Sequence, residues 1–208
     1  MNAYTKRTNI KDVLSSLAVS VSEKMNEKAT LDYSDDKIVT ELAANPHVKF
    51  LSVAQVFETR NNYGKFIIND LSAARIAKDM STHHTYDRVI ILLPYNTIND
   101  TTDNPIAHKS TDHRMKKVNQ CLSNFQLTAD VVVSEDKSNT ILSSFANRDD
   151  VSNALIIFPS YDGDTDPDVV CQLINSGCTC VEYRIDFDIR HKSNSMESIK
   201  TYAAAVEM

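Results

Sequence analysis

Val13, Leu14, Leu17, Val21 and Met25 recur at spacings of three and four between serines and charges, the period of an amphipathic helix over Ile10 to Lys28. A second helix is expected after Ser34, where Asp35 and Asp36 favour the positive N-terminal end. It should stop near Asn45-Pro46, because proline disfavours helix at the residue before it. Residues 1–46 therefore read as an N-terminal helical extension packed on the core, and 47–208 as an α/β unit.

From Val48 onward short β-rich runs alternate with helical patterns. Strands are expected over Lys49 to Phe57, Lys65 to Ile68, Arg88 to Leu93, Asp130 to Val133, Ala154 to Phe158 and Cys178 to Ile185. Helices are expected over Leu71 to Met80, Asp112 to Phe125, Asn139 to Ala146 and Asp166 to Ser176. Val89-Ile90-Ile91-Leu92-Leu93 and Leu155-Ile156-Ile157-Phe158 are continuously apolar, as strands covered on both faces must be. The predicted fold is α/β, Rossmann-like, with a mostly parallel central sheet flanked by helices. In the segment Ala154 to Ile185, Asp166 can cap a helix, Pro167 fits its first turn and Gly177 can end it. A right-handed crossover follows. Asn194 with Glu197 three residues later resembles a capping box for a final helix running to about Glu207.

Composition changes this picture mainly by exclusion. With 22 basic against 28 acidic residues mixed along the chain, there is no phosphate-backbone footprint, and nucleic acid is not the expected partner. Lys6, Arg7 and Lys11 are read as charges that keep a terminus solvated. No apolar stretch reaches the roughly 18 residues of a spanning helix, and Met1 to Lys11 is too polar for a signal peptide's apolar segment. The expectation is a cytoplasmic protein without membrane contact. Cys121, Cys171, Cys178 and Cys180 lack the density of a disulfide scaffold and the paired spacing of a zinc site, which fits reduced thiols. Cys178 and Cys180 would share one face of a strand, as packing residues. The chain has 3 glycines, Gly64, Gly163 and Gly177, so glycine-rich phosphate loops are excluded.

Three stretches resemble the SLOG superfamily, the Rossmann-like proteins related to DprA and the LOG phosphoribohydrolases, in its YspA-like branch. Phe66-Ile67-Ile68-Asn69-Asp70-Leu71-Ser72-Ala73-Ala74-Arg75-Ile76-Ala77 is similar to that branch's strand, turn and helix. Arg88 to Asn96, ending Leu93-Pro94-Tyr95-Asn96, is similar to its next strand. Asn147 to Phe158, followed by Gly163-Asp164-Thr165, is similar to its "RN…ADALIAF" segment. Asn69-Asp70 and Ser160-Tyr161 stand where the family has glycines, and Asn147-Arg148 reverses its Arg-Asn order. Side chains there block the backbone approach to a phosphate, and Asp70, Asp162, Asp164, Asp166 and Asp168 would repel it.

The resemblance implies binding of a nucleotide or nucleotide-derived small molecule at the carboxyl edge of the sheet, by Asn69, Asp70, Ser72, Arg75, Asn96, Arg148, Ser160 and Thr165. Arg75 and Arg148 would pair with an anionic group. It also implies Asp168 as the catalytic candidate for N-glycosidic hydrolysis, near the place of the family's glutamate, with Arg148 orienting a phosphate. Asp162, Asp164, Asp166 and Asp168 alternate like calcium ligands, but the twelfth position is Leu173 and Pro167 opens a helix inside the pattern, so helix capping is the plainer reading. His83-His84, His108 and His113 fall at turns and helix starts, where solvent exposure is the plain reading. No nucleophile is assigned and no cofactor is expected. The alternative function is a non-catalytic structural or protein-interaction protein, as a homo-oligomer or with another partner, that has kept the fold and lost the site.

Overall fold

Ala154–Pro159, one of the continuously apolar runs, is buried at every position. A strand so enclosed needs neighbours on both edges and a helical layer on both faces, and the computed structural model supplies them. It describes residues 6–7, 36–57, 65–94, 105–134, 138–146, 148–160, 165–187 and 199–207. In chain order the elements are β1 (Lys6–Arg7), α1 (Asp36–Ala43), β2 (Val48–Phe57), α2 (Lys65–His83), β3 (Arg88–Pro94), α3 (Pro105–Asn124), β4 (Asp130–Ser134) and α4 (Ser138–Ala146). A 3₁₀ turn (Asp149–Val151), β5 (Ala154–Pro159), α5 (Pro167–Asn175), β6 (Thr179–Phe187) and β7 (Ile199–Glu207) complete them.

The seven strands form one sheet in the order β1-β7-β2-β6-β5-β3-β4. From β2 to β4 the five strands are mutually parallel, and β7 runs antiparallel to β2. The protein is therefore of the α/β, Rossmann-like class. Alternation along the strands separates two cores. Val89, Ile91, Leu93, Leu155 and Ile157 face Val39 and Leu42 of α1, Ala74, Ala77 and Met80 of α2, and Val118 and Leu122 of α3. Ile90, Leu92, Ile156 and Phe158 face Leu142 and Phe145 of α4 and Val170, Leu173 and Ile174 of α5. Crossovers towards β4 thus run over one face, and those returning towards β6 over the other, as a single crossover hand requires. Order reverses between β3 and β5, whose following helices lie on opposite faces. There the pairing of β3 with β5 ends at Ile91 and Ile157, and the Leu92 carbonyl accepts a hydrogen bond from Tyr183 Oη at 2.8 Å.

Two expectations are corrected. Lys65 to Ile68 is the first turn of α2 and not a strand. Asp70, Ala73, Ala74, Ala77 and Met80 are all buried, so the helical stripe reaches back through Asp70, and a four-residue apolar run cannot by itself tell strand from helix. The C-terminal stretch is strand β7 and not a helix running to Glu207. The edge of β2 would otherwise present nine or ten residues of open backbone donors and acceptors, and β7 pairs along it from Glu207 to Ile199. Ala203 and Ala205 are fully buried in the core beside α1. The backbone of Lys6 and Arg7 pairs as a short strand on β7, which the expectation of a terminal tail does not include. The helix expected over Ile10 to Lys28 lies outside the described residues.

Two helix ends show how local chemistry fixes the connections. After α5, Gly177 adopts φ +94°, its N–H reaches the Ile174 carbonyl at 2.9 Å, and the Cys178 N–H reaches Leu173 at 3.0 Å. After α3, Gln126 takes the same role at φ +57°, with Gln126 N–H on Ser123 and Leu127 N–H on Leu122, both at 3.0 Å. A Cβ at position 177 would meet only ordinary contact, the Asn153 nitrogen at 3.6 Å, so the penalty there is conformational. Urea denaturation should therefore show Gly177→Ala losing about 1–2 kcal/mol, and Gln126→Gly gaining up to about 1 kcal/mol.

Candidate functional site

The carboxyl end of β5 is where buried polar groups converge. Glu182 on β6 is paired in register with Ser52 of β2 on one side and Phe158 of β5 on the other. Its side chain therefore enters the face covered by α4 and α5, where it is 7% exposed. A carboxylate there is unfavourable unless every acceptor is matched. Ser52 Oγ donates to Oε2 at 2.7 Å and Thr165 Oγ1 donates to Oε1 at 2.6 Å. Ser160 Oγ lies 3.2 Å from Thr165 Oγ1, and since that hydroxyl's single hydrogen is committed to Glu182, Ser160 is the donor in this pair. Three hydroxyl hydrogens, one from β2 and two from the β5–α5 connection, thus point, directly or in series, at one carboxylate.

The surrounding backbone holds this arrangement. Ser160 N–H donates to the Tyr183 carbonyl at 2.9 Å, Ser138 Oγ donates to the Pro159 carbonyl at 3.1 Å, and Asp166 N–H donates to Asn139 Oδ1 at 3.0 Å. The N-termini of α4 and α5 are thereby tied to the β5–α5 connection, and their partial positive charge lies on the side of the sheet where Glu182 is buried. Asp166 is the N-cap of α5, its carboxylate accepting from Asp168 N–H at 2.9 Å. The alternating acids at this turn thus include a cap, and Asp168 is exposed in the first turn of α5. Asp162 and Asp164 lie outside the described residues, as does Asn96.

Of the residues expected to form one crevice, the structure unites Ser160 and Thr165. Asp70, Ser72 and Arg75 belong to the body of α2, on the opposite face of the sheet from Glu182, as does the backbone of Asn69. Asp70 is occupied: Arg114 of α3 donates to it twice, Nε to Oδ2 at 2.6 Å and Nη2 to Oδ1 at 2.9 Å, with both side chains at most 3% exposed. Burial pushes the Asp70 carboxyl above its ordinary value, and the hydrogen bonds and charge of Arg114 oppose this.

Arg148 is a further correction. It precedes β5, so it stands at the amino edge, and Asp168 follows β5 at the other edge. Six strand residues separate them by roughly 20 Å, which denies them a shared role in hydrolysis. Arg148 instead pairs with Asp150, each holding the other in its charged form, and stands 5.7 Å from the Phe145 ring centroid. Cys178 and Cys180 are buried in the α4/α5 core, and burial pushes both thiols above their ordinary range, as packing residues require. Among the described residues no group of three His, Cys, Asp or Glu could hold a metal, and no helix is long and apolar enough to cross a membrane.

Glu182 carries a weak sequence signal, a carboxylate between Val181 and Tyr183 in a strand that also holds Arg184 and Asp186, and spacing alone could not supply Ser52, 130 positions away. The chain matches no family model, and no curated protein matches it.

The Asp70–Arg114 pair yields a stability test. Asp70→Ala leaves a buried guanidinium without its counter-charge and should cost about 3–5 kcal/mol. The double change Asp70→Ala/Arg114→Met should recover most of it in urea denaturation.

Proposed function

We propose that this protein binds a nucleotide-derived small molecule at the carboxyl edge of its parallel sheet, recognised through sugar hydroxyls or amino groups and not through phosphate. The observation that carries this reading is the buried Glu182 carboxylate, level with the end of β5 and held by Ser52 and Thr165. Each carboxylate oxygen can accept two hydrogen bonds, and among the described residues the protein's hydroxyls account for one apiece, which leaves capacity for ligand donors. Open parallel sheets bind ligands beyond their strand carboxyl ends at the point where strand order reverses, and Glu182 lies one strand from that point. The fold and the Ser160–Thr165 connection fit the SLOG-like resemblance. The phosphate chemistry of that family is disfavoured, because Arg148 stands at the other edge and Glu182, Asp166 and Asp168 are all acidic.

Calorimetry with nucleosides, nucleoside monophosphates, cyclic nucleotides and ADP-ribose tests the reading. Nucleosides should bind at least as tightly as their monophosphates. Glu182→Gln, which keeps the shape of the side chain and removes its charge, should weaken binding by about 10-fold or more. Silence across the panel, or an unchanged affinity in Glu182→Gln, would overturn it and leave Glu182 as a structural node in a non-catalytic interaction protein.

A further inference from the structure

β4 is the last strand in the sheet order, and among the described residues it pairs with β3 alone. Its central residues Val131, Val132 and Val133 are all half-buried, whereas the five apolar residues from Val89 to Leu93 on β3 are at most 7% exposed. Sheet edges are normally kept from further pairing by shortness, lysine, proline or a bulge. The other edge of this sheet ends in β1, two residues that are both basic. β4 has none of these protections: it runs in unbroken register with β3 from Asp130 to Ser134, and its one charged residue, Asp130, is held by Arg88.

The bonding of β3 determines which backbone groups of β4 face outward. The Leu92 carbonyl points towards β5, where Tyr183 Oη reaches it; continued pairing would have brought it to Pro159, which has no N–H to give. Successive residues of a strand send their backbone groups to alternate sides, so Ile91 and Leu93 bond towards β4. With Ile91 level with Val131 and Leu93 level with Val133, their partners are the groups of Asp130, Val132 and Ser134. The N–H and C=O of Val131 and Val133 are left at the open edge.

These groups are spaced for self-pairing. In an antiparallel second copy of β4, related by a twofold axis at Val132, Val131 faces Val133 of the second copy and the reverse, and each of these pairs exchanges both main-chain hydrogen bonds. Val132 meets its own counterpart between them. Side chains stay on matching faces, so the valines continue both cores across the axis, and Asp130 falls opposite the uncharged Ser134. A five-residue edge is small beside the roughly 800 Å² that each partner contributes to a standard interface, so the flanking helices must share the contact. α4 suits this, because it contains no charged residue. Its Ile141 is half-buried and lies on the flank opposite Asn139, which is turned to Asp166. Ser143 and Ser144 are exposed, but their hydroxyls donate to carbonyls of their own helix, Asn139 at 2.7 Å and Ile141 at 2.6 Å, and so need no water.

We propose that two copies of this chain associate through β4, antiparallel about a twofold axis at Val132, joining their sheets into one with α4 beside its counterpart. The contact is independent of the Glu182 site, which lies three strands away on β6.

Sedimentation velocity of the intact protein at tens of micromolar tests the proposal. The unaltered chain should sediment as a dimer. Val132→Lys and Val132→Glu should each be monomeric, because like charges meet at the axis, and an equimolar mixture of the two should regain the dimer. Val133→Pro removes an outward N–H that a single chain does not use, so it should give a monomer with an unchanged circular dichroism spectrum, and it decides the matter if the Val132 variants fail to fold. A monomeric unaltered chain, a dimer that persists in Val132→Lys or Val133→Pro, or a mixture of folded Val132 variants that stays monomeric overturns the proposal.

Discussion

Burial of β5 on both faces is the constraint from which the other features follow. An apolar strand with no exposed position must have a helical layer above and below it, and parallel neighbours must be reached by crossovers through those layers. Each crossover brings a helix back antiparallel to its strands. Helix N-termini are therefore gathered at the carboxyl edge of the sheet and helix C-termini at the amino edge. The two ends of the molecule acquire opposite partial charges before any ionisable side chain is considered. Glu182 is buried towards the end that favours an anion.

The buried charges differ in what they do. Asp70 and Arg114 join α2 to α3 in a bidentate pair that exhausts both groups' shared geometry, and a pair of apolar residues could replace it with little loss. Among the described residues Glu182 is not matched by a cation. It is surrounded by hydroxyls, which are weaker partners and leave lone pairs free. Under the proposed reading, those free lone pairs are what a ligand's donors would meet.

The split between the two cores also sets which residues can cooperate. Positions adjacent in the sequence, such as Leu92 and Leu93, serve opposite layers, whereas Ser52 and Glu182 meet because β2 and β6 are paired in register. Tyr183 lies next to Glu182 but belongs to the other face, where its hydroxyl closes the gap left as β3 parts from β5.

The sequence by itself determined the parts whose signals are local. The apolar runs of β3 and β5, the stripe of α3 through Val118 and Leu122, the Asp166 cap and the Gly177 stop of α5 all act over a few residues, so periodicity and backbone chemistry suffice to define them. Lys65 to Ile68 and Ile199 to Glu207 took their states from distant partners: Asp70 completes a helical stripe because Arg114 meets it, and the alanines of β7 become a strand because β2 has an open edge. The sites were decided in the same way. Ser160 and Thr165 could be named from their loop, but Glu182 and Ser52 gain their meaning only through strand register, and Arg148 stands at the amino edge because it precedes β5, apart from the loops that follow the strands. Pairing across a sheet is non-local, and a linear pattern carries no record of which strand will lie beside which.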